Sequence, residues 1–184
     1  MIHFQNANGD DTGVSPSNPL PTITQSGGEY NPNAQVVTVA NTSHANNTMI
    51  GTVQEFTVAN GVANGGFTLC NIAVRSASGD TGQVGLFVFH SQPAGIAAIA
   101  DGGAFAMSAA DLAKAVPGLN FNVTPAAMPG GITQTGANSS VSPAPFRLDA
   151  DKKFYVALVN TSGGAKTYAE NDFAIAVNGY ANTY

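Results

Sequence analysis

From Gln83 to His90 the chain offers no polar face. Val84, Leu86, Val88 and His90 fall on one side of a strand at period two, and Gly85, Phe87 and Phe89 fall on the other. A strand that is apolar on both sides has to be covered on both sides, so it belongs inside a sandwich and not on a sheet with one wet face. Gln92-Pro93-Ala94-Gly95 ends the strand, Ile96 to Ala100 is a short apolar run, and Asp101-Gly102-Gly103 breaks it. Ser108, with Asp111 three residues on, reads as a capping box, and the spacing predicts a helix over Ala109 to Val116, stopped by Pro117-Gly118.

The remainder of the chain after Ala34 carries β signals. Val36 to Ala40, Thr52 to Ala59 and Phe67 to Arg75 are runs rich in β-branched and aromatic residues, parted by turns such as Asn60-Gly61 and Asn64-Gly65-Gly66. Beyond the helix lie Leu119 to Thr124, a Pro/Gly/Ser/Thr-rich stretch from Pro125 to Pro145, then Phe146-Arg147-Leu148, Phe154 to Asn160 and Phe173 to Val177. About eight strands result, which predicts an all-β, jelly-roll-type β-sandwich with one short helix and an extended N-terminal arm. The pairs Phe67 to His90 and Phe154 to Val177 are loosely alike, and each is expected to supply the inner strands of one sheet. Phe67, Leu69, Leu86, Val88, Phe105, Leu112, Phe154, Val156, Leu158 and Phe173 are the expected core.

Residues 1–33 differ in kind. Pro16, Pro19, Pro21 and Pro32 stand among Asn, Ser and Gly with few apolar anchors, a density of proline that excludes helix and disfavours a central strand. The expected division is an extended arm over residues 1–33 and a sandwich domain over 34–184. Phe4, Leu20, Ile23 and Tyr30 are spaced along the arm as apolar anchors, with Pro19 and Pro21 stiffening it for deposition on a neighbouring subunit or surface.

Charge narrows the range of partners. Only 9% of the 184 residues are charged, against about 25% in ordinary soluble domains. An uncharged polar surface suits a component of an assembly, because little repulsion opposes contact between neighbours. The net charge is −5, and the basic residues are scattered apart from Lys152-Lys153, so no cationic patch for nucleic acid is present. Cys70 is the single cysteine, which leaves no internal disulfide, and its apolar strand suggests a small core residue. The start of the chain lacks the cationic and apolar regions of a secretory signal, and no window approaches the roughly 18 apolar residues of a membrane span, so a cytosolic origin without a membrane anchor is expected.

Catalytic chemistry has no visible carrier. His3, His44 and His90 have no second ligand at metal-binding spacing. Asp149-Ala150-Asp151 resembles the start of a Ca²⁺ loop but lacks the later ligands and reads as a turn. No serine sits in a nucleophile elbow, and with no Trp the chain is poorly supplied for stacking on sugars. No catalytic residue, metal or cofactor is expected.

The order of elements from Leu86 to Leu112, with Asn18-Pro19-Leu20-Pro21-Thr22 ahead of it and Phe154-Tyr155-Val156-Ala157-Leu158-Val159 behind, resembles a group of tailed-bacteriophage head decoration (cement) and related minor structural proteins. That resemblance implies a structural virion protein made in the host cytoplasm and placed on the capsid exterior. It also implies binding to the major capsid protein as a homo-oligomer, most simply a trimer at local three-fold positions. The contact would run through Phe4, Pro19, Leu20, Pro21, Ile23 and Tyr30. A β-sandwich binding module, carbohydrate-recognising or adhesin-like, is the alternative.

Overall fold

The computed structural model describes residues 3–5, 11–13, 29–30, 34–77, 82–123, 126–127, 133–135 and 144–182. Its strands are β1 (His3–Gln5), β2 (Asp11–Gly13), β3 (Glu29–Tyr30), β4 (Gln35–Val37), β5 (Ser43–His44), β6 (Gln54–Thr57), β7 (Gly66–Ser76) and β8 (Val84–Phe89). Two single-turn helices follow, α1 (Ala94–Ala97) and α2 (Ala109–Leu112), and then β9 (Ala115–Val123), β10 (Ala126–Ala127), β11 (Thr133–Thr135), β12 (Ala144–Arg147), β13 (Lys153–Asn160), β14 (Lys166–Thr167) and β15 (Phe173–Asn182). All strand pairing is antiparallel. One sheet runs β10-β11-β7-β15-β3, with β12 also on β7 and β4 also on β15; the second runs β6-β13-β8-β9. The chain is an all-β sandwich.

Side-chain alternation decides which strands lie where. In β15, Phe173, Ile175, Val177 and Ala181 point inward and are buried, while Ala174, Ala176, Asn178, Tyr180 and Asn182 point out. Strands β8 and β13 have no such wet face. Val84, Leu86 and Val88 of β8, with Phe154, Val156 and Leu158 of β13, fill the main core between the sheets. Phe89 of β8 and Tyr155, Ala157 and Val159 of β13 build a second core on the opposite side, beneath the segment that carries α1 and α2. The molecule therefore has three layers, and the doubly apolar strands form the middle one.

This layering corrects the pairing expected from sequence. Strand β7 pairs with β15, and β8 with β13, so each of the two sequence-adjacent pairs is split between the sheets. Strands that need cover on both faces must share the middle layer, and strands with one polar face are left outside.

The main core is centred on aromatic rings. Phe154 stacks on Phe56 at 5.1 Å and on Phe67 at 5.4 Å, and Phe146 meets Phe67 edge-on at 5.5 Å. Eight of the ten expected core residues are fully buried. Phe105 is half-buried against the second core, and Leu112 is 59% exposed. Leu112 lies outside because α2 ends after one turn: Lys114 folds back so that its carbonyl accepts from His90 N–H at 3.0 Å, and Ala115 pairs with Phe89. The helix thus stops four residues short of Val116, and Pro117-Gly118 forms an irregularity inside β9. Cys70 is half-buried, not a core residue: the register of β7 against β15 skips it between Leu69 and Asn71, making it the extra residue of a β-bulge.

Candidate functional site

Of the expected contact residues, Phe4 lies in β1, which pairs only with β2 among the described residues. Pro19, Leu20, Pro21 and Ile23 lie outside the described residues. Tyr30 is placed within its own domain. It pairs with Gly179 of β15, and its ring meets Phe67 edge-on at 5.7 Å and Phe154 at 6.2 Å. Burial pushes its phenol up to about 12. The sheet thus takes in Glu29–Tyr30, residues that proline content alone assigns to the arm, and the attachment of the arm to the sandwich is an aromatic plug.

The segment between β8 and β9 is the most elaborated feature of the fold. Its base is closed by the bond from His90 N–H to the Lys114 carbonyl and by Lys114 Nζ donating to the Gln92 carbonyl at 2.7 Å. Ser108 caps α2, its Oγ accepting from Asp111 N–H at 3.1 Å, while the Asp111 carboxylate accepts from Ser108 N–H. The same carboxylate accepts from Gly95 N–H at 3.1 Å and so ties α2 to α1. The hydroxyl of Ser108, with help from Gly95 and Lys114, outweighs burial and holds the Asp111 carboxyl below the usual range. A side chain at Gly95 would collide with this carboxylate.

The outer end of the insertion forms an added strand. Residues 47–50 continue the line of β6 along β13, with Ile50 N–H donating to the Leu158 carbonyl and Asn160 N–H to the Thr48 carbonyl, both at 2.9 Å. On their other side Met49 N–H donates to the Gly103 carbonyl at 2.8 Å and Phe105 N–H to the Asn47 carbonyl at 2.9 Å. Between residue 50 and β6 the strand is interrupted at Gly51, whose φ of +69° and close approach to Val37 and Thr38 leave no room for a Cβ.

Asp101 repairs that interruption. It accepts from Gly51 N–H at 2.6 Å, from Ala40 N–H at 2.7 Å and from His44 Nε2 at 2.6 Å. Burial would raise this carboxyl, but the hydrogen bonds from Ala40, His44 and Gly51 and the charge of His44 prevail and hold it below its ordinary value. His44 is 0% exposed, and its Nδ1 lies 3.0 Å from the Thr42 carbonyl. His44 thus faces the Asp101 carboxylate with Nε2 and the Thr42 carbonyl with Nδ1, two oxygens that only accept while Asp101 is ionised. Below it, the buried Asn160 amide nitrogen reaches the carbonyls of His44 and Gly164 at 2.9 Å, and its oxygen accepts from Ser162 Oγ at 2.7 Å.

Sequence reasoning missed His44 and Asp101 because 57 residues separate them. The signal available was Asp101 standing between an apolar run and paired glycines. Asp149 matches its expectation as a turn: Oδ1 accepts from Asp151 and Lys153 N–H, and Oδ2 from Tyr155 Oη at 2.8 Å. Among the described residues no group of three or more His, Cys, Asp or Glu is placed to hold a metal ion, and no helix is long and apolar enough to cross a membrane. Comparison with protein-family models, with curated proteins and with solved structures returns no match.

Proposed function

We propose that this chain is a structural virion protein that decorates and stabilises a bacteriophage head by binding its major capsid protein as an oligomer, most simply a trimer. The observation that carries the reading is the outward face of the larger sheet. Val36 is 58% and Tyr180 48% exposed there, with Ala174, Ala176 and Asn178 beside them. Among the described residues the charged side chains on this face are Arg75 in β7 and, at its β12 edge, Arg147. Short, neutral side chains on a broad sheet favour close association with another protein, since little desolvation or charge repulsion opposes it. The ionisable groups inside the insertion agree with a structural role, because Asp101 and Asp111 are spent on holding backbone. The resemblance of Leu86 to Leu112 to head decoration proteins supplies the capsid as partner.

Cosedimentation with expanded empty phage heads tests this directly. Saturable binding at a fixed ratio to the capsid protein is expected, and light scattering is expected to give three times 18.6 kDa for the free protein. Retention on a glycan array with no binding to heads would replace this reading with a carbohydrate-binding module.

A further inference from the structure

We propose that the His44–Asp101 pair is a pH-operated latch, which holds the loop after α1 against the edge of the four-stranded sheet and releases it as His44 loses its proton. The pair joins three separate stretches of chain at one point: Ala40 before β5, Gly51 before β6, and the turn between α1 and α2. The added strand depends on that point. Gly102 and Gly103 follow Asp101 directly and bond to Met49, so what fixes Asp101 also fixes the residues that cover the edge of 47–49.

A neutral imidazole carries one N–H. Either the Thr42 carbonyl or the Asp101 carboxylate would then face a nitrogen lone pair, in a position where water has no access to the ring. A fully buried ring nitrogen left with its lone pair against an acceptor destabilises the closed form relative to one in which the turn swings out and is hydrated. The titratable groups that face His44 are Asp101 from the α1–α2 turn, Lys166 as its cross-strand partner in β14, and Tyr168, whose ring lies 5.3 Å away. The sign follows from the two hydrogen bonds: the latch is closed while both ring nitrogens carry hydrogen and opens as pH rises. Opening uncovers the backbone groups of residues 47–49 at a sheet edge, where another strand can pair. This inference does not depend on the capsid reading.

Hydrogen exchange of the full chain, followed from about pH 5 to about pH 9 and corrected for the intrinsic exchange rate, is the test. Protection at Met49, Gly51, Gly102 and Phe105 is expected to fall at least about tenfold across the range, while β7 and β15 amides hold theirs. In Asp101→Asn that pH dependence is expected to vanish. Unchanged protection across the range in the native chain, or an equal fall in Asp101→Asn, overturns the proposal. Nitrogen NMR of the native protein gives a second readout if the variant does not fold: both His44 ring nitrogens should be protonated at the acid end, and a ring with one N–H throughout overturns it.

Discussion

The two cores on either side of β8 and β13 are held by different means. The main core is sealed by aromatic stacking around Phe154, between two hydrogen-bonded sheets. The second core has Met49, Phe89, Ile96 and Tyr155 at its centre, but its rim of Phe87, Ile99, Phe105 and Met107 is only half-buried. Its lid is fastened by carboxylates: Asp101 at the outer end, Asp111 in the middle, with Lys114 at the base. A core made by sheet packing needs only hydrophobic alternation. A core made under a loop needs polar anchors as well, since a loop has no ladder of its own to satisfy its backbone. The second core should accordingly respond to pH and to single polar substitutions that leave the first untouched.

Phe154→Ala gives the largest expected effect. It removes the ring that Phe56, Phe67, Phe146 and Tyr30 share, and should cost about 3–5 kcal/mol in denaturant melts, lowering protection in both cores together. Were the insertion to keep its protection in that variant, the cores would be separate folding units. Tyr30→Ala comes next, at about 1–3 kcal/mol, because half a ring's burial is lost from the main core alone. Deleting residues 1–28 should leave the melting temperature almost unchanged, and a large loss there would mean that the arm contributes more than the Tyr30 plug.

Ser108→Ala removes the cap of α2 and should cost about 1 kcal/mol, with exchange rising across the insertion and not in β7 or β15. Gly95→Ala should act on the same region by displacing the Asp111 carboxylate. The pH dependence sharpens the contrast further. Asp101 titrates below its ordinary value when folded, so its contribution is present above the usual carboxylate range and is lost as pH falls through the lowered one. Acid titration of stability should therefore flatten in Asp101→Asn. Leu112→Ser should change stability by less than about 0.5 kcal/mol, since the side chain is mostly in water. A larger loss would show that Leu112 is covered in solution.

What could be read from the sequence follows the same division. Residues 84–89 carry apolar side chains on both faces, and that pattern alone placed them inside the sandwich; residues 154–159 carry the same pattern. The pattern did not say that such strands must lie side by side, which is why the sheet partners of β7 and β8 were reversed. Ser108 and Asp111 announced the start of α2, but its end depends on Ala115 being drawn into the ladder with Phe89, an interaction between distant residues that helix signals do not contain. The same holds for His44. An Asn/Ser-rich turn hides a histidine whose partner arrives from beyond three further strands. Tyr30 looked like a surface anchor because prolines surround it, yet its ring meets Phe67 and Phe154.

The edge strands β3 and β4 also have a mechanical consequence. They meet β15 at two short stations, Tyr30 opposite Gly179 and Val37 opposite Phe173, and among the described residues the Tyr30 station is the first along the chain to pair with the sandwich. That station is a two-residue ladder with one ring behind it, far weaker than the ten-residue seam of β15 with β7. Force drawn through the arm should peel this strand before it strains the layers beneath, so the tether behaves as a fuse in series with a rigid body. In single-molecule pulling from residue 1, a short low-force extension ahead of the main rupture would be its signature.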